Sequence, residues 1–337
     1  MSLPLVSVVI PAFNAQHTID RTLASVRSQV HAELEIIVVD DGSHDDTRGR
    51  ILRHAREDPR IRLVEQQNGG VACARNRGIS ESRSEYVAPI DADDLWHPEK
   101  IARQLAVLQS SPEVGLVATA YSVIDADDCL IAKVGGTSPE TTTFENLCRR
   151  NFIGNGSSAM MRRSLIERFG GYDPSLRQRG GQGCEDLQLY LQIAEISQVI
   201  LLPDPLTAYR RSPGNMSTDS VQMTRSFDLV AANFCRRRPE LRSLFNDHRI
   251  YMLCWLLNGA LRAGNMRQAS EIAVQLVQTP SITLPGALLD AAVRVTRGMS
   301  RRWLVERGRR PPLPWPEPPS TPPQAREASS ARSSQHH

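Results

Sequence analysis

Short apolar runs rich in Val and Ile recur through the first part of the chain, at Val6–Ile10, Glu35–Val39, Ile61–Val64, Tyr86–Ile90 and Val114–Thr119. Between them the apolar positions change period. Ile19, Leu23, Val26 and Val30 are spaced four, three and four apart, which places them on one helix face. Ile101, Leu105 and Leu108 repeat the pattern after Pro98, a residue favoured at helix starts. Wholly apolar strands alternating with amphipathic helices predict an α/β fold with a mainly parallel, twisted sheet flanked by helices. In such a sheet the ligand crevice lies beyond the C-terminal ends of the strands.

The alternation weakens after residue 120. Tyr121–Val134 reads as a hairpin turning at Asp127-Asp128. A Gly- and Asn-rich stretch, Asn151–Ser158, precedes a short strand and helix. Gly180-Gly181-Gln182-Gly183 is a flexible loop leading into a helix near Glu185–Ala194, and residues 219–305 read as helices. From Arg310 the chain is rich in Pro, Ser and Arg. It has too little apolar surface to offset chain entropy, so residues 310–337 are expected to be disordered.

Composition narrows the picture. With 337 residues and 40% hydrophobic content, the chain can bury a sizeable core. A net charge of +3 gives no argument for nucleic acid as a partner. The six cysteines form no CxxC pair and have no His cluster nearby, which disfavours a zinc site or a disulfide framework and favours a reducing compartment. The start of the chain reads as a strand, not a signal peptide. The longest apolar stretch, Tyr251–Leu261, falls well short of the roughly 20 residues a bilayer requires. A cytoplasmic location is expected.

Polar residues gather where the strands end. The first strand runs into Pro11-Ala12-Phe13-Asn14, the second into Asp40-Asp41-Gly42-Ser43, and the fourth into Asp91-Ala92-Asp93-Asp94. Turn formation and capping suffice for Asp40–Ser43. They do not account for three carboxylates in the last cluster, which repel one another unless a cation or proton intervenes. Hard divalent cations take oxygen ligands and share them with substrate phosphates. The sharper reading is therefore a metal–diphosphate site. A dinucleotide-binding dehydrogenase is disfavoured because no GxGxxG follows the first strand.

Four segments together, in order and spacing, resemble the family 2 inverting glycosyltransferases of GT-A fold. They are Val6-Ser7-Val8-Val9-Ile10-Pro11-Ala12-Phe13-Asn14, Ile37-Val38-Val39-Asp40-Asp41-Gly42-Ser43, Asn68-Gly69-Gly70-Val71-Ala72-Cys73-Ala74-Arg75-Asn76-Arg77-Gly78 and Asp91-Ala92-Asp93-Asp94-Leu95-Trp96-His97-Pro98. The resemblance implies a GT-A domain over residues 1–215, with a donor half to about 120 and an acceptor half beyond it, then a helical region over 216–309. It implies a nucleotide-sugar donor bound with Mn²⁺ or Mg²⁺. Pro11, Ala12 and Asn14 would line the base and ribose pocket, and Asp41 would accept a hydrogen bond from the base. Asp91 would contact ribose or a metal-bound water, and Asp93 would be the metal ligand of a DXD motif. Asp94 would be a capping or orienting group. Arg75 either meets the donor phosphates or pairs with the strand-end acids.

Gly183-Cys184-Glu185-Asp186-Leu187 resembles the family's acidic pair at the start of an acceptor-side helix. This makes Asp186 the expected base, taking the proton of an acceptor hydroxyl, with Glu185 the second choice. Cys184 and Gln192 depart from the family pattern. Arg210 and Arg211 either reach donor phosphate or sit in a solvated turn. The acceptor would be a glycan or a lipid-linked saccharide, as in surface-polysaccharide synthesis. A polyprenyl-phosphate transferase and a non-catalytic nucleotide-sugar binder are the alternatives. Leu288, Ala292, Val295, Met299 and Trp303 form a stripe among arginines. Such a helix either packs on its own domain, the ordinary outcome, or makes peripheral contact with the inner face of a membrane through residues 285–310.

Overall fold

In a computed structural model, residues 3–135, 140–212, 216, 219–280, 311–313 and 315 are described. The first elements are β1 (Val6–Ala12), α1 (Ile19–Arg27), β2 (Leu34–Asp40), α2 (Thr47–Glu57), β3 (Ile61–Glu65), α3 (Val71–Ser80), β4 (Tyr86–Pro89), β5 (Leu95–Trp96) and α4 (Lys100–Ser110). Then come β6 (Val114–Ile124), β7 (Leu130–Val134), β8 (Glu140–Thr142), α5 (Phe144–Arg149), β9 (Ala159–Arg162), α6 (Arg163–Arg168), α7 (Ser175–Gln178), α8 (Glu185–Ala194) and β10 (Gln198–Arg210). Helices α9 (Ser220–Arg237), α10 (Arg242–Arg262) and α11 (Met266–Gln278) follow.

One sheet runs in the order β3-β2-β1-β4-β9-β6-β10-β5, with β7 paired to β6 and β8 to β10. The parallel arrangement holds for β3, β2, β1 and β4. Beyond β4 the sheet is mixed: β9 runs antiparallel to both β4 and β6, whereas β6 and β10 are parallel. Alternate residues of β1 serve opposite faces. Val8 and Ile10 pack with Leu23, Val26 and Leu105, while Val9 joins the core that also holds Leu187, Phe227 and Leu253. The C-terminal helices are thereby continuous with the core formed by β6, β9 and α8.

The hairpin at Asp127-Asp128 is β6–β7, and Asp128 takes a left-handed φ of 60° at its turn. Val30 departs from expectation. Helix α1 ends at Arg27, and Val30 is 59% exposed. The chain leaves the helix because Gln29 turns inward, donating to His97 O and accepting from Ile101 N–H. Among the described residues no helix is long and apolar enough to cross a membrane. Residues 285–310, with their basic stripe, lie outside the described residues.

Part of the stretch expected to be disordered has a defined place. Leu130 N–H donates to Pro311 O at 2.9 Å, and Leu313 N–H donates to Asp128 O at 3.2 Å. Leu313 and Trp315 pack on Leu95, Ile124 and Ala208, and the Trp315 ring meets His97 edge-on at 5.6 Å. Apolar side chains in an otherwise polar tail supply the burial that holds this strap.

Candidate active site

The ends of β1, β2 and β4 meet at one edge of the sheet. Register sets Ala12 opposite Asp40, and Asp41 N–H donates to Ala12 O at 2.8 Å. Pro11 and Ala12 are buried, and Asn14 stands exposed beyond them with φ 49°. Asn14 ties the two loops together, donating its N–H to Ser43 Oγ at 3.0 Å and accepting from His44 N–H at 2.9 Å. Asp40 fills the turn role, accepting from Ser43 N–H at 3.0 Å. Asp41 has a task that the sequence did not reveal. Its carboxylate accepts from Gln66 Nε2 at 2.7 Å and from the Gly69 and Gly70 N–H groups at 2.8 Å, so it shapes the loop that opens α3. A carboxylate has about four acceptor positions, so roughly one remains for a ligand.

The three acids after β4 have different surroundings. Asp91 accepts from Arg75 Nη2 at 2.6 Å, and its N–H donates to Ser157 Oγ at 3.0 Å. Asp94 is fully buried and takes Ser157 Oγ–H at 2.5 Å and Arg210 N–H at 2.8 Å. It does not cap a helix; it latches the loop to β10. Burial, with Asp93 and Asp91 beside it, holds its carboxyl well above the usual range. Asp93 is the one acid of the three whose carboxylate has no hydrogen bond or ion pair to another residue among the described residues. Burial and the neighbouring Asp91 raise its pKa to about 6.

Arg75 resolves the choice left open for it. It is 2% exposed and bridges two acids, Asp91 at 2.6 Å and Glu185 at 3.0 Å, with the Tyr172 ring 5.1 Å from the guanidinium carbon. Carboxylates from the loop after β4 and from the start of α8 therefore share one cation. Glu185 Oε2 also accepts from Gly183 N–H at 3.0 Å. Asp186 has no cationic partner in contact, and its carboxylate accepts only from Leu187 N–H, at 2.6 Å, among the described residues. Burial, then Glu185, raises it to about 7. The starts of α3 and α8 border one cleft, lined by Gly69, Gly70, Ala72, Arg177, Gln182 and Glu185.

Arg210 is turned inward, not left in a solvated turn. Its guanidinium is 2% exposed, donates to Asp93 O at 2.7 Å and Asp125 O at 2.8 Å, and pairs with Asp128. It fastens the acidic loop to the β6–β7 hairpin that the strap covers. Arg211 lies over the Trp255 ring at 5.5 Å, away from that loop. Sequence reading also passed over Gly156 and Ser157, whose only signal was the Gly- and Asn-rich stretch. A Cβ at Gly156 would collide with the Arg75 guanidinium. Gly156→Ala should therefore destabilise the fold by about 1–3 kcal/mol. An unchanged urea midpoint would show that Arg75 can move aside.

Among the described residues no three His, Cys, Asp or Glu side chains are grouped to hold a metal ion by themselves. A single free carboxylate is still a suitable donor set for an ion that takes its other oxygens from a diphosphate and water. The residues thus fit Mn²⁺ or Mg²⁺ through Asp93, with the donor supplying the rest.

The glycosyl transferase family 2 model matches residues 7–170. A putative teichuronic acid biosynthesis glycosyltransferase of Bacillus subtilis is 35% identical over 152 residues, 45% of this chain and 60% of the relative. An uncharacterized glycosyltransferase of Nostoc is 30% identical over 227 residues, 65% of this chain and 68% of the relative. A UDP-Glc:alpha-D-GlcNAc-diphosphoundecaprenol beta-1,3-glucosyltransferase of Escherichia coli is 30% identical over 166 residues, 49% of this chain and 63% of the relative. The match thus spans about two thirds or less of these relatives' lengths. Staphylococcus aureus TarS 1–349 in complex with UDP-GlcNAc superposes with a TM-score of 0.58 at 14% identity, covering 88% of this chain and 92% of that one. The mannosyltransferase PcManGT of Pyrobaculum calidifontis, in complex with GDP-Man and Mn²⁺, gives 0.54 at 20%, covering 90% and 84%. The fold is that of the GT-A glycosyltransferases.

Proposed function

This chain belongs to glycosyl transferase family 2, and we propose that it moves a sugar, with inversion, from a nucleoside-diphosphate donor to a hydroxyl of a glycan or lipid-linked saccharide. Assembly of a surface polysaccharide is the setting that the curated relatives favour. The observation that carries the reading is the Arg75 bridge, which holds donor-side Asp91 and acceptor-side Glu185 at one site. A nucleotide binder without transfer chemistry has no use for the acceptor-side pair.

In this mechanism Pro11, Ala12 and Asn14 line the nucleoside pocket, and Asp41 offers its remaining acceptor position to the base. Asp93 would hold Mn²⁺ or Mg²⁺, which would supply positive charge to offset that of the leaving diphosphate. Arg75 keeps Asp91 and Glu185 from repelling each other. That leaves Asp186 to take the acceptor proton as the hydroxyl oxygen attacks the anomeric carbon from the side opposite the diphosphate. A pKa of about 7 suits a group that must be ionised before the step and hold a proton after it.

The test is a panel of UDP- and GDP-sugars, screened by thermal shift with Mn²⁺ or Mg²⁺ and then by nucleotide release with saccharide acceptors. One nucleotide sugar should raise the melting temperature in a metal-dependent way. No shift with any donor and either metal would overturn the reading.

A further inference from the structure

A short loop joins the acids to a second group of side chains. Gly156 lies against Arg75 and Asp91, whereas Gly154, at φ 82°, lies against Tyr121, whose hydroxyl a Cβ there would meet at 2.6 Å. Tyr121 meets Tyr209 edge-on, with ring centroids 6.3 Å apart. The pairing of β10 continues past its end, since Arg211 N–H donates to Ile124 O at 2.9 Å. Strand alternation therefore puts Tyr209 and Arg211 on one face and sends Arg210 to the other, toward Asp93. On its face Arg211 lies over the Trp255 ring of α10 at 5.5 Å. One helical turn before Trp255, Tyr251 carries Arg150. The Arg150 guanidinium carbon is 4.3 Å from the centre of the Tyr251 ring, and Nη2 donates to its hydroxyl at 3.0 Å.

The rings of Tyr121, Tyr209, Tyr251 and Trp255 are partly exposed, as is Arg211, and Arg150 is exposed. Neither arginine has a carboxylate partner among the described residues. Asp247, one turn before Tyr251, pairs with Arg149 at 3.6 Å instead. An arginine laid on an aromatic ring is already oriented, yet it keeps the N–H edge of its planar fork for an oxyanion. We propose that this surface is the acceptor subsite: Arg150 and Arg211 take the acidic group of an anionic saccharide, and Tyr121 and Tyr209 flank its sugar ring. The acid is a uronate carboxylate or a sugar phosphate, the two oxyanions that a fork of N–H donors recognises. The inference deepens the transferase reading above and rests on it. A saccharide seated there lies one short loop from Asp91 and the Arg75 bridge.

The test is calorimetric titration of the full chain, without donor or metal, with tetragalacturonate, uncharged cellotetraose and glucose 1-phosphate. At least one of the two acids should bind. Arg150→Gln with Arg211→Gln should weaken that binding at least about tenfold, the weight of a charge-assisted pair. Arg150→Gln alone changes an exposed side chain, keeps the fold, and should show part of the same loss. Binding of tetragalacturonate alone supports a charge on a sugar of the glycan; binding of glucose 1-phosphate alone supports one at a phosphate-linked end. Cellotetraose binding as tightly as the acids, no binding of either acid, or binding that survives the double substitution overturns the proposal. The titration contains neither donor nor metal. A failed donor screen would therefore leave it readable, and the two failures are distinguishable.

Discussion

Asp186→Asn is expected to lower kcat/KM by about 10²–10⁴-fold, the usual contribution of a positioned base. The amide keeps the size and the hydrogen bond from Leu187 N–H but cannot take a proton. In the parent enzyme, activity should rise with pH and level off above about 7, where burial and Glu185 place the Asp186 carboxyl. Stability moves the other way. A carboxyl whose pKa is raised in the folded state binds more protons there than in the unfolded chain. Its stabilising contribution is therefore present at low pH and is lost as pH rises through about 7. The Asn variant lacks the buried charge, so it should melt higher than the parent at alkaline pH while transferring almost nothing. Thermal melts and initial rates over the same pH series check both halves. Full turnover by the variant would remove Asp186 from the chemistry.

Asp93→Ala should cost about 10²–10³-fold in transfer, the scale seen when one electrostatic stabiliser is removed. Asp91 is held by Arg75, and Asp94 by Ser157 and the Arg210 amide, so neither can turn to a cation without leaving a buried group unpaired. The loss should fall on metal-dependent donor affinity. Calorimetric titration of the nucleotide sugar should show tighter binding with Mn²⁺ for the parent and no Mn²⁺ effect for the variant. The fold should not suffer, because the substitution removes a half-buried acid next to two others. A surviving Mn²⁺ effect would show that another group holds the ion.

The donor half was legible because burial on both faces leaves its imprint on a strand as an unbroken apolar run, and because parallel strands bring their ends to one edge. The acid clusters followed from that pattern, and the start of α8 at Glu185 followed from the Gly-rich loop before it. What each acid does was not legible. Asp91, Asp93 and Asp94 are the same residue type in one short span, and only their partners separate them. Those partners come from far along the chain: Ser157 lies 63 residues beyond Asp94, and Arg210 lies 116. Arg210 shows the same limit from the other side. An arginine after a strand suggests a reach to phosphate, whereas here backbone carbonyls of the hairpin and of Asp93 surround it. Val30 kept the helix period by chance after the helix had ended. Arg75 could be placed only once the fold showed acids on both sides of it.

The strap at Pro311–Trp315 carries a consequence for how the molecule is made. Leu313 meets Asp128, and Trp315 meets His97, so each contact closes a loop that includes everything from β7 to α11. Contacts of such separation form late, since chain closure costs entropy before the contact returns anything. Synthesis proceeds from the N-terminus, so the hairpin behind Asp93 emerges well before the segment that covers it. Leu95, Ile124 and Ala208 are then an apolar patch without their cover until translation has passed Trp315. Until then that patch is open to contact with other chains. Any tag or fusion joined after the strap sets out from the hairpin behind Asp93, not from the far side of the protein.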